Sequence, residues 1–152
     1  MIVSDSTTLI ILLDLDRVAL LSNLFTSITI PQAVFDELNH KGDVELPNFI
    51  TVVQVAPSET LEMLKKLLDR GESEAIALAL QRNEKLIVDE KKGRKIAMNQ
   101  GIEIIGLLGI IYLNIKKGFI TQNEAKEFLD DALSHGYRIS NRLIEGMFAR
   151  LL

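Results

Sequence analysis

Short β-branched runs alternate with longer helical stretches along almost all of this chain, and that alternation limits the fold more than any other feature. The runs are Ile2-Val3-Ser4, "SITI" (Ser27 to Ile30), "FITVVQV" (Phe49 to Val55), "KLIV" (Lys85 to Val88) and Glu103 to Ile105. Strands separated by helices cannot be joined as hairpins, so they pair in parallel and the helices cover both faces of the sheet. A parallel α/β architecture follows.

Helices are expected from about Thr7 to Phe25, after Pro31, from Pro57-Ser58 to about Leu68, from Lys91 to Asn99, and over most of the chain from Leu107. Pro31 suits a first helical position, where its missing N–H costs nothing. Arg70-Gly71 is expected to break the chain before the helix of "GESEAIALAL". Thr121-Gln122-Asn123-Glu124 fits a capping box, and a last helix is expected from about Ser140. With neither linker nor internal repeat, residues 1–152 are expected to form a single domain. A helical C-terminal extension occupies about 121–152.

The chain has no cysteine, which removes thiolate metal sites and Cys nucleophiles and fits a reducing cytosol. No basic leader precedes the first apolar run. The apolar segment Ile104 to Ile115 falls well short of the roughly 20 residues that a membrane span needs. A soluble cytoplasmic protein is therefore expected. A net charge of −4 does not advertise a nucleic-acid binder. "KKGRK" (Lys91 to Lys95) reads equally as a solvated helix face or as an approach for a phosphate backbone.

The helix of "GESEAIALAL" is apolar nearly all round, yet it opens on Glu72 and Glu74. One acid there is favoured by the helix dipole; two call for a further reason. Ligands of open α/β sheets bind at the carboxyl ends of the strands. Asp5 follows the first strand, and Asp89 and Glu90 follow the fourth. Glu37 lies about 60° from Val34 on the flank of its helix's apolar stripe, whereas Asp36 points to solvent. Singly, each acid has an ordinary role as a cap, a dipole partner or a surface charge. Jointly, Asp5, Glu37, Glu74 and Asp89 are expected to converge at one sheet end, with Glu72 and Glu90 nearby. Carboxylates so gathered must protonate or hold a cation. An all-oxygen set without a compelling His (His40 and His135 are isolated) suits Mg²⁺ or Mn²⁺. The chemistry that follows is phosphodiester hydrolysis. No Gly-rich nucleotide-cradling loop is present.

In order and spacing, "IVSDSTTLI", "IPQAVFDEL", "GESEAIALAL", "KLIVDEKKGRKIA" and "GIEIIGLLGII" resemble the PIN-domain superfamily. The likeness is to its small prokaryotic members akin to VapC toxins, and it runs over almost the whole chain. The resemblance implies a Rossmann-like three-layer α/β/α sandwich, Mg²⁺- or Mn²⁺-dependent cleavage of RNA, a homodimer, and an antitoxin protein as partner. Carried over, Asp5, Glu37, Glu74 and Asp89 match the family's acidic quartet. Asp5, Glu74 and Asp89 would hold the ion, with Glu90 a rival to Asp89, and Glu37 would orient water. Glu72 matches a second acid often present. The chain departs from the family at Leu107, where a small hydroxyl residue is common. The competing reading is a catalytically silent module that binds RNA or a protein partner.

Overall fold

The computed structural model describes residues 1–152, the side chain of Lys41 excepted. Five strands form one parallel sheet: β1 (Ile2–Ser4), β2 (Ile28–Pro31), β3 (Ile50–Val53), β4 (Lys85–Ile87) and β5 (Ile104–Ile105). Their order is β3-β2-β1-β4-β5. Val3 stands beside Thr29 on one side and Leu86 on the other. The chain thus builds outward from β1 to β3, crosses back, and restarts beside β1 with β4. The strand order reverses between β1 and β4, and a crevice opens at such a point beyond the carboxyl ends.

The helices are α1 (Ser6–Asp14), α2 (Ala19–Ser22), α3 (Gln32–Leu38), α4 (Glu59–Lys65), α5 (Arg70–Arg82), α6 (Lys91–Asn99), α7 (Leu107–Lys116), α8 (Gln122–Ser134) and α9 (Asn141–Ala149). They form layers on both sides of the sheet. Successive strand side chains point to opposite faces, so Ile2 and Ile87 join one apolar cluster while Val3, Leu86 and Val88 join the other. The first cluster is completed by α1, α2, α3, α7, α8 and α9, and the second by α4, α5 and α6. The three-layer α/β/α sandwich is therefore present. Helix α5 is buried without interruption from Gly71 to Ala79. No helix is long and apolar enough to cross a membrane among the described residues.

Three boundaries differ from those expected. The first helix divides because Asp16 takes a left-handed conformation (φ +54°), which Asp tolerates better than most residues. Pro31 closes β2 and caps α3 in an extended conformation instead of opening the helix. The break before α5 comes earlier, at Asp69, whose side chain accepts from Glu72 N at 2.8 Å. Gly71 therefore lies inside the first turn.

Candidate active site

Asp5 sits where β1 becomes α1, and the backbone holds it tightly. Its N–H donates to Ile87 O at 2.9 Å, extending the β1–β4 pairing by one residue. Its Oδ1 accepts from Ser6 N at 2.6 Å and so caps α1. Its Oδ2 is buried and meets no hydrogen-bond partner among the described residues. Burial pushes the Asp5 carboxyl up to about 7; the Ser6 amide opposes this, and the charges of Glu37, Asp69 and Glu90 add to it.

Ser6 also reaches the next acid, donating from Oγ to Glu37 Oε2 at 2.7 Å. Glu37 is likewise raised, first by burial and then, against the Ser6 bond, by Asp69 and Glu90. A Cβ on Gly71 would collide with Glu37 Oε1. The bare backbone of the first turn of α5 is what lets α3 bring its glutamate in. One residue on, Glu72 is 5% exposed, and its Oε2 lies 2.9 Å from where a Gly93 Cβ would stand. Burial raises Glu72 well above the ordinary carboxyl range; a hydrogen bond with Glu90 and the charges of Asp5, Asp69 and Glu90 raise it further.

Asp5, Glu37, Asp69, Glu72 and Glu90 therefore act on one another across the crevice between β1 and β4. Of the residues expected there, Asp5, Glu37 and Glu90 are brought together, with Glu72 beside them. Glu74 and Asp89 are engaged elsewhere.

Glu74 Oε1 accepts from Ala33 N at 3.1 Å and Oε2 from Arg70 Nε at 3.2 Å. Arg70 also bonds Asp36 Oδ2 at 3.2 Å. This clamp fixes the start of α3 against α5 and engages both oxygens of Glu74. Residues two apart on a helix differ by about 200° in direction, so Glu72 and Glu74 cannot share a face. Asp89 is parted from Glu90 by the same kind of alternation. Its Oδ1 accepts from Leu107 N at 3.0 Å, opening α7, and its Oδ2 from the Thr8 hydroxyl of α1. Tyr137, on the connection between α8 and α9, lines the same cleft as Asp89; burial and the Asp89 charge both raise that phenol's pKa. Asp89 ties α1 and α7 to the end of β4.

Among the described residues, no three His, Asp or Glu side chains already stand in a metal-binding arrangement. The donor set nevertheless fits a hard divalent cation. Burial and the neighbouring negative charges of Asp5, Asp69 and Glu90 hold the Glu72 pKa high, and a cation among them would offset those charges. Asp5 Oδ2 points inward with no donor. Among the described residues no Lys or Arg forms an ion pair with Asp5, Glu37, Asp69, Glu72 or Glu90. The available ligands are oxygens only, as Mg²⁺ and Mn²⁺ prefer.

Sequence reasoning missed Ser6, Asp69 and Tyr137. Asp69 carries a readable signal, since an Asp three residues before a Glu at the head of an apolar run is a helix-start pattern. Tyr137 has none, because only the folded chain brings it to residue 89.

A family model described as "DUF3368: PIN domain" matches residues 1–151. No curated protein matches the chain.

Proposed function

The chain belongs to the PIN-domain family, and from that premise we propose that it is a divalent-metal-dependent ribonuclease whose site is Asp5, Glu37, Glu72 and Glu90. PIN domains are generally nucleases, so hydrolysis of nucleic-acid phosphodiester bonds is the coarse reading. The observation that carries the finer one is the unpartnered, buried Asp5 Oδ2 in a crevice where Glu37, Glu72 and Glu90 crowd with no cation among the described residues to pair them.

Asp5, Glu72 and Glu90 would hold Mg²⁺ or Mn²⁺. When bound, the ion offsets charge building on the phosphate and acidifies water. Glu37, oriented by Ser6 Oγ and raised above its ordinary pKa, takes the proton from the attacking water. Asp69 keeps the local field negative and fixes the first turn of α5 through Glu72 N. Asp89 acts through position alone, and Glu74 holds α3. The reading differs from the expected quartet by replacing Glu74 with Glu72 and Asp89 with Glu90.

The test is cleavage of single-stranded RNA with Mn²⁺. Asp5→Asn keeps a good helix cap and removes the charge, so it should abolish cleavage while the fold persists. Cleavage by Asp5→Asn at the rate of the unaltered protein rejects the assignment. The resemblance to VapC-like proteins supports a homodimer, a cytoplasmic location and a role as the toxin of a toxin–antitoxin pair. Light scattering tests the first. A small overlapping open reading frame encoding a DNA-binding partner tests the last.

A further inference from the structure

Beside the acids lies a cleft of about 940 Å³ whose two walls come from segments well separated in the chain, α6 and the connection between α8 and α9. Lys91, Arg94 and Lys95 of α6 form one wall, and Arg138, on the connection between α8 and α9, forms the other. Asp89 and Glu90 lie at its inner end. All four cations are exposed, and none has an ion-pair partner among the described residues. Elsewhere among the described residues Lys65, Arg70, Arg82 and Lys85 are matched to carboxylates and many other cations are not, so what marks this cleft is the gathering of four of them on its walls.

The gathering is not a by-product of composition, because the chain as a whole carries −4. Lys91 also stands in the first turn of α6, where positive charge opposes the helix dipole. Four cations on the walls of one cleft, one of them set against a helix dipole, next to the site proposed for phosphodiesters, call for an anion. Met98 (57% exposed) and Leu143 (56% exposed) line the same cleft. Apolar side chains beside cations suit a phosphate chain with uncovered base faces. A duplex hides those faces in its stack and gains nothing from Met98 and Leu143.

We propose that this cleft is the binding track for an unpaired RNA segment leading to the acids, with Arg138 of the C-terminal connection forming its outer wall. The proposal rests on the ribonuclease reading for its ligand. Lys91, Arg94, Lys95 and Arg138 contact phosphates, while Met98 and Leu143 lie against a base. The connection between α8 and α9 and the first turn of α9 are then part of substrate recognition, and Tyr137, which lines the cleft with Asp89, stands where that wall meets the acids.

The experiment is fluorescence anisotropy of a short unstructured RNA oligonucleotide in EDTA, with salt varied. Cleavage does not enter, so failure of the nuclease reading and failure of the track are read separately. Arg138→Ala and Arg94→Ala should each weaken binding about five-fold or more and shallow the salt dependence by roughly 0.7 in log–log slope, as for one lost single-strand phosphate contact. Lys117→Ala, on the remote end of α7, should leave both unchanged. Leu143→Ser should weaken binding to the single strand without altering the salt slope. A perfect RNA duplex should compete poorly. No measurable binding by the unaltered protein at low salt, an Arg138→Ala protein that binds like Lys117→Ala, or equal competition by duplex each overturns the proposal.

Discussion

A methyl group at position 71 would occupy the space that the Glu37 carboxylate now fills. Gly71→Ala should therefore push Glu37 off its Ser6 hydrogen bond and lower RNA cleavage at least ten-fold. The same change gains about 1 kcal/mol of helix propensity, so the melting temperature should hold or rise. A nuclease assay beside a thermal melt checks both. Glu72 and Glu74 offer a sharper contrast. Glu72→Gln fixes the neutral form that the crowded site already favours without metal, so it should abolish cleavage while leaving the metal-free protein at least as stable. Glu74→Ala should do the reverse to stability. It strands the Ala33 N–H and frees Arg70, at a cost of about 2 kcal/mol for a buried unsatisfied donor. Paired melts in EDTA distinguish the two, and a Glu72→Gln protein that still cuts RNA at full rate would remove Glu72 from the site.

Several elements of this fold begin at an acid or a hydroxyl residue: α1 at Asp5, α4 at Ser58, α5 at Asp69, α8 at Thr121 and α9 at Ser140. The α8 cap is reciprocal, with Glu124 N donating to Thr121 Oγ1 at 3.0 Å and Thr121 N to Glu124 Oε1 at 3.1 Å. Thr121→Ala should cost about 1 kcal/mol and lower the melting temperature by about 2–4 °C. Catalysis should not change, because this cap faces solvent far from the acids. Such caps and the β-branched runs are local signals, which is why the elements, and the parallel sheet they imply, were legible in the sequence. The acids were legible only as pairs. Whether Glu72 or Glu74 enters the crevice depends on where α5 begins, and a break placed at Arg70-Gly71 instead of Asp69 loses that information. Asp89 and Glu90 differ by one step at a strand end, so an offset of one residue exchanges their roles. Tyr137 and Arg138 could not be placed at all, since nothing near them in the chain marks what they approach across the fold.

Taken over the molecule, the acids make stability depend on pH with a definite sign. Asp5 ordinarily titrates near 3.8 and is raised to about 7; Glu72 ordinarily titrates near 4.5 and is raised further. Between those limits the folded chain binds more protons than the unfolded one, so stability falls as pH rises. The protonated site carries no penalty below about pH 4, and the penalty from Asp5 is complete above about pH 7. In EDTA the melting temperature should drop by several degrees between about pH 5 and about pH 8. Millimolar Mn²⁺ should recover most of that loss at the higher pH and little at the lower one, since binding to the folded form alone stabilises it. A flat profile, or recovery independent of pH, would contradict a cation-neutralised site. The strand order has a consequence of another kind. With β1 at the centre, the rims of the sheet are β3 and β5, and they are unequal. β5 offers two residues, too little backbone to template an incoming strand, whereas β3 presents four, Ile50 to Val53. Edge-to-edge aggregation of a loosened chain therefore has one favourable starting place, and a lysine or proline introduced at the exposed Thr51 is where engineering for solubility should begin.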